Sequence, residues 1–372
     1  MENSQLQSIL DTELKSAKES VNLIHTQIKE NKTFYEFDKN IVKPQPDRSE
    51  ATTSEAYDVV EGILPSIKRV FLSGKSTVTF EAREKEDEDL ANQLNDYVNW
   101  VITKSNNGEK ILTDAFKNSL IFKVGFLKHF WEVQETYKKE SYEGLPEEAY
   151  LQLVDNENID ILSESSETMQ IQDELGNVLE QTIYNVKICV TEKIGKIVIE
   201  SINPLNVLVS ARATSFDDCD YCCHIEYKTR SDLIEQGFDK DLIFSLSSDD
   251  DYSDGKDIKT DGQSFDRRDN HSDKSKDLLK VEEHYVKVDI DDDGIAELTK
   301  ILRVNNTCLS KEKVSDIPFS HLNPIPFPNQ FYGHCPVDIV KNLQKVNTSL
   351  LRQVLDNIFM MNNPSKIINS AQ

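Results

Sequence analysis

The chain has 372 residues, 66 of them acidic and 42 basic, which gives a formal net charge of -24 and a sequence pI near 4.7. That excess opposes adhesion to nucleic-acid phosphates or to an anionic membrane. The longest apolar runs fall short of the ~20 residues of a membrane span, and six cysteines are too sparse for a disulfide scaffold. The N-terminal MENSQLQ has neither the basic nor the apolar region of a signal peptide. A cytosolic origin and reduced thiols are therefore expected, and a length beyond the ~250–300 residues at which single cores stop growing favours two or three lobes.

Leu6, Leu10, Leu14, Ala17, Val21, Ile24 and Ile28 recur at threes and fours, so the first thirty residues predict an amphipathic helix that docks on another surface, with a neighbouring subunit one candidate. Residues 31–53 read as a loop with two prolines leading to a Ser/Thr-rich helix start. Tyr57, Val60, Leu64, Ile67 and Phe71 outline a helix interrupted by Gly62 and Pro65, and Thr77 to Phe80 a strand. The acidic run 84–89 places negative charge at the positive end of a helix carrying Leu90, Leu94, Tyr97 and Val101, which Asn106-Asn107-Gly108 breaks. A helix from Glu109 to about Lys123 ends toward Gly125, and Phe126 to Val133 suits a strand.

From 134 to 182 the sequence is acidic and less regular, with 172–177 a turn between strands, and reads as a solvent-facing insertion. Residues 183–202 alternate and are expected as paired strands. The polar tract 247–277, with SSDDDYSDGKD and DRRDNHSDKSKD, has too little apolar content to repay its ordering and is expected to be disordered. Pro318, Pro324, Pro326 and Pro328 then impose an extended approach. Pro336 falls where a proline suits the first turn of a helix. Val340, Leu343, Val346, Leu350, Val354, Ile358 and Met361 form one apolar stripe on a rod of roughly 39 Å. Leu351, Leu355 and Phe359 add a second row, so this helix has two packing surfaces.

The run FYGHCPVDIVKNLQKVNTSLLRQVLDNIFMMNNPSK resembles the portal proteins, or head-to-tail connectors, of short-tailed bacteriophages. ILPSIKRVFLSGKSTVTFEA at 63–82, DYVNWV at 96–101, KVGFLKHFW at 123–131, INPLNVLVSARA at 202–213 and DIDDDGIAEL at 289–298 match in the same order, so the resemblance covers about 55 to 365. It implies an α+β, portal-like wing of mixed helices and antiparallel strands leading into a long stem-type helix. The expected parts are 1–53, an N-terminal helix and loop; 54–330, the wing-like region; and 331–372, the proline-rich turn and long helix. The implied role is that of a structural subunit of a dodecameric ring at one capsid vertex. Its implied partners are the terminase large subunit, capsid and scaffolding proteins, tail adaptors, and double-stranded DNA that passes without sequence-specific binding. Portals of this kind are usually longer than this chain. Without the resemblance, the same features suit an acidic intracellular scaffold or adaptor binding partners through amphipathic helices.

Three constellations imitate chemical sites. Ser73-Gly74-Lys75-Ser76-Thr77 looks like the end of a phosphate-binding loop, but the required earlier glycine is Arg69, and a helix precedes the motif where one should follow. Asp289, Asp291, Asp293 and Gly294 imitate the opening of a calcium loop, yet Lys300 stands at the twelfth position where a glutamate is needed, and Glu297 holds the ninth. An Asp-Gly hairpin between strands is the plainer reading. Cys219, Cys222, Cys223 and His224 have zinc-ligand types without a second pair, and Cys222 and Cys223 fall on opposite faces of a strand. None of the seven histidines has a recognisable catalytic setting. No catalytic, cofactor-binding or metal-binding residue is assigned, and an enzyme is not expected.

Overall fold

The computed structural model describes residues 3–72, 74, 76–154, 156, 158–172, 178–246, 273–291 and 293–362. The fold is α+β, as expected. In chain order its elements are α1 (Asn3–Tyr35), α2 (Glu55–Leu72), α3 (Glu88–Trp100), α4 (Gly108–Phe122), β1 (Gly125–Pro146), α5 (Glu147–Val154), β2 (Ile159–Gln172), β3 (Val178–Ile202) and β4 (Val207–Val209). There follow β5 (Tyr221–Thr229), α6 (Arg230–Glu235), α7 (Lys240–Ser245), β6 (Leu278–Val288), β7 (Glu297–Val304), β8 (Thr307–Lys313), β9 (Phe319–Leu322) and α8 (Pro336–Asn362). The chain divides into two units, 1–128 with 199–372, and 129–198.

The larger unit is built on an antiparallel sheet in the order β4-β5-β6-β7-β8. Asn305 and Asn306, both at positive φ (47° and 67°), turn β7 into β8 in the two-residue geometry that asparagine tolerates best after glycine. α1 lays Leu6, Leu10, Leu14, Ala17 and Val21 on Leu208, Tyr221, Cys223, Val286 and Ile301 of this sheet. Each leucine, isoleucine or valine among these contributes roughly 1.5–3 kcal/mol when fully buried. The amphipathic N-terminal helix therefore docks its apolar face on its own chain. Phe126, Phe216, Cys222, Tyr285, Phe319 and Phe331 cover the opposite face. Leu233 of α6 and Ile243 of α7 pack at one end against Leu279, Val281 and Val304.

Because both faces are covered, β6 is buried almost throughout and carries its charges inward. Glu282 faces α1 and accepts from Arg303, whose second branch reaches Asp11 on α1. Glu283, on the other face, is held by Lys128, Lys300 and the Tyr285 hydroxyl. Burial works against both charges, but His284, Lys280 and Arg303 around Glu282, and His224, Lys128 and Lys300 around Glu283, outweigh it and hold both carboxyls far below the usual range.

Several elements differ from expectation for identifiable reasons. α2 runs unbroken through Gly62 and Pro65. An interior proline costs about 3 kcal/mol, which packing of Ala56, Val60 and Leu64 against Phe116, Leu120 and Val337 offsets. Residues 77–80 are extended but form no strand, since side-chain amides supply their pairing. Asn99 accepts from the Thr77 and Val78 amides and donates to the Val78 carbonyl, while Asn95 brackets Phe80 in the same way. α4 ends as expected, with Lys123 rather than glycine in the left-handed conformation at φ 72°.

In the smaller unit, the stretch expected to be irregular is regular. β1 continues to Pro146, β2 and β3 are long antiparallel strands with a bulge at Ile161/Ser163, and the order is β2-β3-β1. Residues 183–202 belong to one strand, β3, and not to a pair. Gly195 lies under the Trp131 ring, where an added Cβ would come within 2.1 Å of it, so the glycine and the aromatic complement each other across the sheet. The expected turn at 172–177 and disordered tract at 247–277 lie largely outside the described residues; the end of the tract is a single turn at Lys274–Lys276 entering β6.

Candidate subunit interface

The approach to α8 is fixed by backbone and ring contacts. The Gly333 position lies so close to Ile325 that an added Cβ would be 2.3 Å from its carbonyl oxygen, and the His334 amide donates to that same oxygen at 2.9 Å. Asn323 donates to the Phe331 carbonyl at 2.8 Å. The Phe331 ring sits among Phe126, Phe216 and His321, with centroids 4.8–6.1 Å apart. Cys335 then caps the helix, Pro336 takes the first helical position, and Asp338 reaches back to accept from the Cys335 amide at 3.1 Å.

Asp338 is also the hub of a buried cluster. It accepts from Lys123 at 3.0 Å and from Asn31 at 3.1 Å, which joins the end of α4 and the last turns of α1 to the start of α8. Burial opposes its charge, and the bonds from Lys123, Asn31 and the Cys335 amide prevail, lowering its pKa from 3.8 to about 2. Burial of the Cys335 thiol pushes its pKa up to about 12, so it stays protonated and unreactive.

Beyond this junction α8 is polar toward its own chain and apolar toward the outside. Gln344, Thr348 and Arg352, spaced by four, are buried. Gln344 donates to the carbonyls of Phe34 and Thr53 and accepts from the Ala56 amide. Thr348 meets the Thr53 amide and hydroxyl. Arg352 donates to the carbonyls of Ala51, Val42, Lys39 and Glu50 at 2.7–3.2 Å. The loop between α1 and α2, which offers many carbonyls and few apolar side chains, is thus held by the helix's polar line. The opposite line is bare: Leu343, Val346, Leu350 and Val354 are 53–55% exposed and Met361 80%. A surface helix of a globular protein normally shows the reverse. From Ile339 to Met361 the outward apolar residues take six steps over 22 residues, about 3.67 per step, which keeps them on one side of a nearly straight helix.

Of the expected packing stripe, Leu343 to Met361 lie on the outward face, and Ile339 is more exposed there than the partly buried Val340. The buried polar line was not anticipated, although the repeat of Gln344, Thr348 and Arg352 at intervals of four is visible in the sequence.

The three imitated chemical sites are placed as follows. α2 ends at Leu72, so the phosphate-loop imitation, whose Ser73 and Lys75 lie outside the described residues, follows a helix C-terminus. Asp289, Asp291 and Asp293 bring one oxygen each to within 4.8 Å of one another on an exposed turn. Asp289 accepts from the Asp293 and Gly294 amides within residues 289–296, which join β6 to β7 as a longer loop than a two-residue Asp-Gly turn, while Lys300 pairs with Glu283 and Glu297 with Lys313. Cys222 and Cys223 fall in the cores on opposite faces of the sheet. A pocket of about 360 Å³ between α1 and the sheet is lined by Asp11, Lys280, Glu282 and Arg303, whose charges pair with each other. No described helix is long and apolar enough to cross a membrane.

The sequence matches the family described as phage SU10 portal protein over residues 6–372. No curated protein matches it.

Proposed function

Because this chain belongs to the phage SU10 portal protein family, and so has a structural role in the phage particle, we propose that it is one subunit of a closed ring at the capsid vertex, with the outward face of α8 as a subunit contact. The ring would surround the channel through which double-stranded DNA enters and leaves, and would offer attachment to a terminase, to capsid and scaffolding proteins and to tail adaptors. In that reading residues 1–53 and 54–330 form the wing-like body, and 331–372 lead into the stem. Nucleotide hydrolysis would belong to the terminase.

The observation that carries the reading is the inverted helix. Among the described residues, seven apolar side chains along one side of α8 stay about half or more exposed, while its polar side is satisfied within the chain. Apolar area left in water costs about 25 cal/mol per Å² relative to burial, and a ring returns it by repeating one contact around an axis. The excess of acid suits a channel along which DNA must slide without adhering.

Replacing Leu350 and Val354 together with aspartate tests this. In the protein expressed from its complete gene, light scattering should show the multimer reduced to monomer, with far-ultraviolet circular dichroism and the melting temperature of the monomer unchanged. A multimer of unaltered mass would remove α8 from the contact.

A further inference from the structure

The structure carries more than a single sticky stripe, because a ring subunit has two neighbours. Adjacent residues of an α-helix point about 100° apart, so Leu350 and Leu351, and likewise Val354 and Leu355, belong to two different rows. The first row, with Leu350 at 54% and Val354 at 53% exposure, faces outward along the whole helix. The second, with Leu351 at 36% and Leu355 at 38%, lies beside the buried line of Thr348 and Arg352 and is also exposed.

We infer that in the assembly proposed above α8 makes a head-to-tail contact: the Leu350/Val354 row of one copy packs on the Leu351/Leu355 row of the next. A contact of like row on like row would be closed after two copies and would leave the second row in water; unlike rows can repeat until the ring closes. The occupant is a second copy of this chain because of charge. From Val346 to Asn362 the only titratable side chains are Arg352, buried against four carbonyls, and Asp356, which accepts from the Ser49 amide. Here a chain of net charge -24 can meet its own copy without setting like charges together, and a basic partner would gain nothing from it.

Cysteine cross-linking with a short bismaleimide tests the arrangement, which rests on the ring reading. In a Cys308→Ser background, removing the one native cysteine that is not buried, Val354→Cys alone and Leu355→Cys alone should give monomer bands on a denaturing gel. The double variant should give a ladder of many rungs. A single variant that stops at a dimer would overturn the inference in favour of a like-on-like contact. A multimer by light scattering that yields no ladder from the double variant would overturn it while leaving the ring intact. A monomer by light scattering for the Cys308→Ser protein itself would overturn the ring reading and the inference together.

Discussion

Asp338 ties three helices together through one carboxylate. Its bonds to Lys123, Asn31 and the Cys335 amide set where α8 starts and in which direction it leaves. With its pKa lowered from 3.8 to about 2, the ionised form stabilises the fold fully above pH 4, and that contribution is lost as pH falls through about 2. The shift corresponds to about 2 kcal/mol. Asp338→Asn should therefore lower stability in urea by about 2–4 kcal/mol at pH 7, the larger value including a Lys123 ammonium left buried without its partner. The gap to the wild type should narrow between pH 4 and pH 2; a gap independent of pH would show that the carboxylate is not the group that matters.

At the scale of elements, the two sides of α8 differ in what they meet: the polar side is bonded to its own chain, and the apolar side is exposed. Arg352→Met removes the donor to four backbone carbonyls and should destabilise the single chain by about 2–4 kcal/mol, with faster amide exchange in residues 39–54. Leu350→Asp, on the exposed row, should leave the single chain's melting unchanged. Equal losses from both would mean that the outward row is covered within the chain. The sequence showed this helix and its period but not which side faces home, because apolar periodicity normally marks the buried side and here marks the open one. A similar limit applies at residues 77–80: β-branched residues announced an extended backbone, and only the fold reveals that Asn95 and Asn99, one turn apart on α3, supply the pairing a second strand would have provided. Pro65 misled in the opposite sense, since a local penalty is small beside the packing of Val60 and Leu64.

For the whole molecule, the α+β class followed from the family resemblance, whereas the docking face of α1, the pairing of β6 with β7 and the α4–β1 junction were legible because each depends on local chain-breaking residues or a clean period. The long strands β2 and β3 were not, since their acidic and polar residues read as loop until a partner strand fixes the alternation. The contacts that unite the larger unit, Arg303 with Glu282 and Asp11, or Asp338 with Lys123, join residues up to 292 positions apart, and no local pattern reports them. The family match and the inverted helix converge on a repeating assembly. Negative-stain electron microscopy of the protein expressed from its complete gene tests that claim most directly. The account predicts closed rings of uniform diameter with a central hole; uniformly monomeric particles at micromolar concentration would contradict it.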